Sequence, residues 1–143
     1  MAIKTLRCRV KDKYIPQLNK MAAAVNYVWN YCNELSSRNI KEKHQFMTGY
    51  DFHPYTKGAG KELGLHSQTL QQIAAEYATR RKQFKKQHLK WRKTGGTERS
   101  RGWIPTGTGA VKYKNGQLHH NGMHIGLWDS FGLGQYKIRS GSF

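Results

Sequence analysis

Two stretches of the chain carry apolar residues at helical spacing, and two others alternate apolar with polar. In residues 67–93, SQTLQQIAAEYATRRKQFKKQHLKWRK, the residues Leu70, Ile73, Ala74, Tyr77, Phe84 and Trp91 recur at spacings of three, four and seven. That spacing predicts one helix of about 3.6 residues per turn across the whole stretch. Ser67 is expected to cap its first turn, and Gly95-Gly96 to end it. Residues 16–43 predict a second helix, with Leu18, Met21, Ala22, Val25, Val28, Trp29, Cys32 and Leu35 in one stripe. Asn19, Asn26, Asn30 and Asn33 lie off that stripe. Asparagine is a mediocre helix former, so four in one helix are a cost that packing or binding must offset. They read either as surface amides or as groups that hydrogen-bond an RNA backbone or bases. Trp29 and Phe84, each within a stripe, are assigned to the core of the helical bundle.

Residues 3–10 alternate, with Leu6, Cys8 and Val10 on one face and Lys4, Arg7, Arg9 and Lys11 interleaved, which predicts a strand whose basic side faces either solvent or a phosphate backbone. Residues 110–114 and 117–120 predict a hairpin around Asn115-Gly116, and 123–128 a further strand after Asn121-Gly122. Residues 136–139 are a candidate last strand. Between the helices, 46–65 is irregular and longer than an ordinary loop, so it is expected to pack on the body or fold with a partner. Residues 94–109 are rich in Gly, Thr and Arg and poor in apolar residues, the pattern of a segment ordered by a ligand. Trp103, in that segment, is expected to serve binding more than folding. The chain stops shortly after its last strand, which reads as a piece of something larger.

Charge changes this picture most. Lys and Arg number 25 against 8 Asp and Glu, a formal net charge of +17. Such an excess on one small domain implies a polyanionic partner. No apolar run is long enough to span a bilayer, and there is no signal-peptide core or lipidation motif. Nucleic acid is the partner this favours. On the predicted helix 67–93, Lys82, Lys86 and Lys93 line up opposite the apolar stripe, flanked by Arg80, Lys85, Lys90 and Arg92. They read either as a solvated face or as a ridge that tracks phosphates. The two cysteines, Cys8 and Cys32, predict buried thiols in a cytosolic protein rather than a disulfide framework.

Catalytic chemistry finds little support. The carboxylates Asp12, Glu34, Glu42, Asp51, Glu62, Glu76, Glu98 and Asp129 are scattered singly, whereas magnesium-dependent nucleases cluster them. His119 and His124 fall near one hairpin, but no paired C-x-x-C spacing accompanies them, so exposed imidazoles beside phosphates are favoured over a zinc site. The glycines at 102–109 lack the G-K-[ST] ending of a P-loop. No catalytic residue, metal ligand or cofactor is expected.

Several motifs together resemble a known family. They are AAAVNYVWNYCNE, most specifically NYVWN at 26–30; HSQTLQQIAAEYATRRKQFKKQHLKWRK, most specifically SQTLQQ at 67–72; RGWIP; and the closing AVKYKNGQLHHNGMHIGLWDSFGLGQYKIRSGSF. In this order they resemble the N-terminal half of the TnpB (OrfB) proteins of insertion sequences, RNA-guided nucleases related to the type V CRISPR effectors. The resemblance implies an α+β fold, an oligonucleotide-binding-type β-barrel (the wedge) interrupted by a helical recognition bundle. Residues 1–13 and 104–143 would form the wedge, 14–93 the helical insertion, and 94–103 a basic connection. It implies contacts to guide RNA and to an RNA–DNA duplex. The RuvC-like nuclease and zinc ribbon that follow in the family are not in these 143 residues, so cleavage is not carried over.

The residues expected at nucleic acid are Lys4, Arg7, Arg9, Asn26, Asn30, Arg80, Lys82, Lys85, Lys86, Lys90, Arg92, Lys93, Arg99, Arg101, Trp103, Lys112 and Lys114. The expected partner is RNA of guide or scaffold type, with target DNA and a nuclease or CRISPR effector chain as further candidates. The expected role is a regulator, or an inhibitor that captures an effector's guide RNA. The alternatives are one part of a split nuclease that needs a separate RuvC chain, and a plain DNA-binding protein.

Overall fold

The computed structural model describes residues 3, 5–85, 88–97, 99–106, 110–128, 132–136, 138 and 142–143. The chain is α+β, a helical body packed on a four-stranded antiparallel sheet. Strand β1 is Arg9–Val10, and a 3-10 turn at Asp12–Tyr14 leads into helix α1, Ile15–Lys43. Pro16 stands in the first turn of α1, where its missing N–H costs nothing. Two short helices follow, α2 at His53–Thr56 and α3 at Ala59–Leu63, then α4 at Ser67–Phe84. The remaining strands are β2, Lys112–Lys114, β3, Gln117–His120, and β4, Met123–Trp128.

The sheet order is β1-β4-β3-β2, all neighbours antiparallel. The first strand of the chain therefore joins the last hairpin across the intervening helices, the strand–helices–strand order expected. The sheet is open. Residues 3 and 5–8 belong to no described strand, so β1 is shorter than its alternation predicts. The candidate strand at 136–139 includes residues outside those described, and Leu133–Gln135 before it forms a 3-10 turn.

One core holds the two layers together. Met21, Val25 and Cys32 of α1 meet Ile73 and Tyr77 of α4 and Phe52, and the same cluster runs on to Met123 and Ile125 of β4. Tyr77 is its hub, edge-on to Trp29 at 5.1 Å and to Phe52 at 5.6 Å. Burial pushes the Cys32 thiol up to about 12, so it stays protonated and inert. The irregular stretch between the helices packs on the body, with Phe52 fully buried.

Helix α4 is the largest departure from the periodicity. It ends at Phe84, nine residues early, with Lys85 left-handed (φ 52°) and its N–H bonded to the Arg81 carbonyl. Phe84 is half exposed rather than core, and Trp91 is 41 % exposed on a non-helical segment. At the other end it is His66, not Ser67, that caps: its Nδ1 accepts the Gln68 N–H at 3.1 Å. Residues 99–106 also differ from expectation. Ile104 is buried and exchanges two backbone hydrogen bonds with Phe143, so this part is fixed by the body and not by a ligand.

Candidate nucleic-acid interface

The asparagines of α1 explain why α4 stops. Asn33 donates to the Leu89 carbonyl at 2.7 Å and accepts the Leu89 N–H at 2.8 Å. Asn30 does the same for Arg92, at 2.9 and 2.8 Å. Asn26 donates to Thr94 Oγ1 and accepts from Arg92 Nε at 2.6 Å. A carboxamide presents both a donor and an acceptor, so it stands in for a peptide group of a neighbouring strand. Three of them along α1 hold an unwound 89–94 segment that runs antiparallel to the helix. Tyr77 donates its hydroxyl proton to Asn33 Oδ1 at 2.7 Å, tying the clamp to the core.

The fold itself engages three of the residues expected at nucleic acid. Asn26 and Asn30 are spent on the clamp. Arg92 bonds Asn26 and the Arg101 carbonyl and lies 5.8 Å from the Trp103 ring, and burial pulls its guanidinium below the ordinary value. Trp103 is a fourth: it is half-buried and packs edge-on to Trp29 at 6.2 Å. Arg80 pairs with Glu76 at 2.8 Å on the exposed side of α4. Such a pair is weak, so it leaves Arg80 accessible to a phosphate. Lys82, Lys85, Lys90, Lys93, Arg99 and Arg101 are all exposed, but α4 does not carry them as one ridge, because Lys90 onward is on the clamped segment. Lys4 and Lys86 lie outside the described residues.

The sheet gathers what the helix does not. Directly opposed residues of antiparallel strands share a face. Lys112 opposes His119, His119 opposes His124, Lys114 opposes Gln117, and Arg9 opposes Trp128. The alternation along β4 sends Met123, Ile125 and Leu127 inward and His124 and Trp128 outward. Arg9, Lys112, Lys114, His124 and Trp128 therefore lie together on the solvent face, with Arg7 exposed just before β1. Lys11 joins them. Its N–H bonds the Gly126 carbonyl at 2.7 Å, and its ammonium lies 4.7 Å from the centre of the Trp128 ring. A Cβ at Gly126 would come within 3.1 Å of the Lys11 chain, so glycine there lets the lysine cross the sheet. His119 and His124 stack in parallel, ring centres 4.2 Å apart. The four strands contain no acidic residue.

Trp128 escaped the sequence reading; Lys11 belongs to the basic side of the first strand but is not among the residues expected at nucleic acid. The alternation of β4 was the available signal: it puts Trp128 on the face of His124, opposite Ile125 and Leu127.

The inner face closes on His120. Its Nδ1 lies 2.8 Å from the Ala110 carbonyl, which only accepts, so that nitrogen carries the proton. Nε2 is buried without a partner, and His66 lies against the ring, centres 5.8 Å apart. Burial, and then the charge of His66, hold the His120 imidazole below its ordinary value, against the opposing pull of Ala110. Among the described residues no group of three or more His, Cys, Asp or Glu side chains is placed to hold a metal ion, and no helix is long and apolar enough to cross a membrane.

No protein-family model matches the chain, and a search of curated proteins finds none similar to it.

Proposed function

We propose that this chain is a nucleic-acid-binding module whose sheet face receives RNA. The observation that carries this reading is the solvent face of the sheet, where Arg9 and Lys11 flank an exposed Trp128 and Lys112 and Lys114 share the face two strands away, with no carboxylate on any strand. Lysine and arginine on such a surface contact phosphates, and an exposed indole at its edge offers a base a stacking partner. Lys90 and Lys93 on the clamped segment, with Arg99 and Arg101 beyond it, add further exposed cations.

The finer reading rests on the sequence resemblance. The RNA is then a structured guide RNA, alone or paired with target DNA, held by a module of the TnpB type that carries no nuclease segment in these residues. Its role is regulation, or inhibition of a type V CRISPR effector by capture of its guide.

The test is to purify the chain, sequence the nucleic acid that accompanies it, and measure binding of that RNA and of matched duplex DNA across a salt series. One structured RNA species with defined ends, bound more tightly than duplex DNA, is the expected result. Equal affinity for any duplex would remove the RNA reading in favour of plain DNA binding. The RNA-loaded chain is expected to leave a matched target uncut in magnesium. Cutting that begins only when a RuvC-like chain is added would make this one part of a split nuclease.

A further inference from the structure

A second site stands apart from the sheet. Along α4, on the side that meets residues 46–53, runs a groove of about 980 Å³, within the usual range for ligand sites. Ala75 and Ala78 make one wall, Met47 and Tyr50 the other, and the groove reaches Arg81, Lys82 and Lys85 at the C-terminal end of the helix. Gly49 brings the second wall close, since a Cβ there would sit 3.2 Å from the Ala75 Cα.

Arg81 is the anomaly. It is only 2 % exposed, yet its Nε and Nη1 have no hydrogen-bond partner. Its neighbours do not neutralise it: the guanidinium lies 3.9 Å from the centre of the Phe46 ring, and on the core side the Tyr77 hydroxyl keeps its proton and donates it to Asn33. A buried unpaired cation destabilises a fold unless an anion completes it. Phe46 and Tyr50 are 66 % and 87 % exposed, two large rings left on the rim of an apolar groove. A buried cation, two flanking lysines and two open aromatic rings together match a ligand that is anionic at one end and flat and aromatic at the other.

We propose that this groove binds a nucleotide unit, with its phosphate on Arg81 and its base against Phe46 or Tyr50. Phe46 covers the guanidinium, so the phosphate reaches the unpaired N–H groups as that ring shifts. The proposal rests on the nucleic-acid reading above, since the unit would be one unpaired nucleotide of the bound strand.

The experiment titrates isotope-labelled protein with adenosine 5′-monophosphate, with adenosine and with inorganic phosphate, following the Arg81 Nε–H and the Ala75 and Ala78 amides. The monophosphate is expected to move all three signals and to bind at least about tenfold more tightly than either half alone, because a charge-assisted hydrogen bond and a stacked base add. Arg81→Met is expected to abolish that binding while keeping or raising the melting temperature, because it removes a buried unpaired charge. Thr79→Phe fills the groove from an exposed position with Arg81 intact, and is expected to block the monophosphate too; it decides the matter if Arg81→Met does not fold. Phosphate alone binding as well as the monophosphate overturns the proposal, as does undiminished binding in Thr79→Phe. Displacement by an acidic amphipathic peptide, with no response to the monophosphate, also overturns it and makes the groove a protein site. A single-stranded RNA of about ten nucleotides is titrated in parallel. RNA binding with a silent groove removes this site and leaves the RNA reading standing; a responsive groove without RNA binding supports the site and ends that reading.

Discussion

The amide face of α1, built from Asn26, Asn30 and Asn33, and the basic face of the sheet, built from Arg9, Lys112 and Lys114, are both polar strips on regular elements. The first is covered by residues 89–94 and the second is bare. The difference lies in what each side chain needs. A carboxamide is neutral and presents a donor and an acceptor, so a peptide group satisfies both and burial costs little. An ammonium or guanidinium carries donors and a charge, and stripping its water without supplying an anion costs several kcal/mol per ion. Neutral polar strips can therefore be consumed by folding, while cationic ones stay in water unless an anion covers them.

The sharpest way to break this contrast is at Asn33. Asn33→Leu strands the Leu89 N–H and C=O and the Tyr77 hydroxyl, and is expected to cost about 3 kcal/mol or more of unfolding free energy in urea. RNA affinity of the protein that stays folded is expected not to change. Loss of RNA binding at full stability would move the amide face into the interface. The opposite outcome belongs to the sheet. Arg9→Ala, Lys112→Ala and Lys114→Ala together are expected to flatten the log–log salt slope of RNA binding by about 0.7 to 0.9 for each phosphate that is no longer neutralised. Stability is expected to stay within about 0.5 kcal/mol per site, since all three side chains are exposed. An unaltered slope would take the sheet face out of the interface.

Two tryptophans give a smaller version of the same contrast. Trp128→Ala is expected to weaken RNA binding by about 1–3 kcal/mol with little change in melting temperature. Trp103→Ala is expected to do the reverse, giving up its packing on Trp29 and Arg92 and lowering the melting temperature. If the two variants exchange these effects, the assignment of inner and outer aromatics is wrong.

The smallest effect concerns acid. His120 is held neutral, below its ordinary value of 6.5, chiefly by burial. The unfolded chain then binds the proton more readily than the folded one, so the stability His120 contributes is present above about pH 6.5 and is lost as the pH falls below that value. A His120→Gln variant is expected to flatten this part of the curve of unfolding free energy against pH, and an unchanged curve would place the acid sensitivity elsewhere.

Much of the architecture was legible along the chain because it depends on local pattern. The stripe of α1, the two Asn-Gly turns, the alternation of β4 and the strand–helices–strand order all follow from periodicity and turn chemistry, and each is found. What failed was the extent of α4. Leu89, Lys90, Trp91 and Arg92 continue a helical spacing, and Lys, Leu and Gln favour helices by small increments. Two effects outweigh those increments. In a continued helix Lys82, Lys86 and Lys90, four residues apart, would share one face and repel one another, and the amides of α1 offer the unwound segment partners that a helix could not use. The candidate site divides along the same line. That the chain is strongly cationic is a property of composition and needs no fold. Which cations stand together was decided by register, since β1 meets β4 across more than a hundred residues of chain and only that pairing sets Arg9 beside Trp128. The unpaired Arg81 had no signature in the sequence at all, because a buried charge without a partner is defined by what the rest of the fold fails to place beside it.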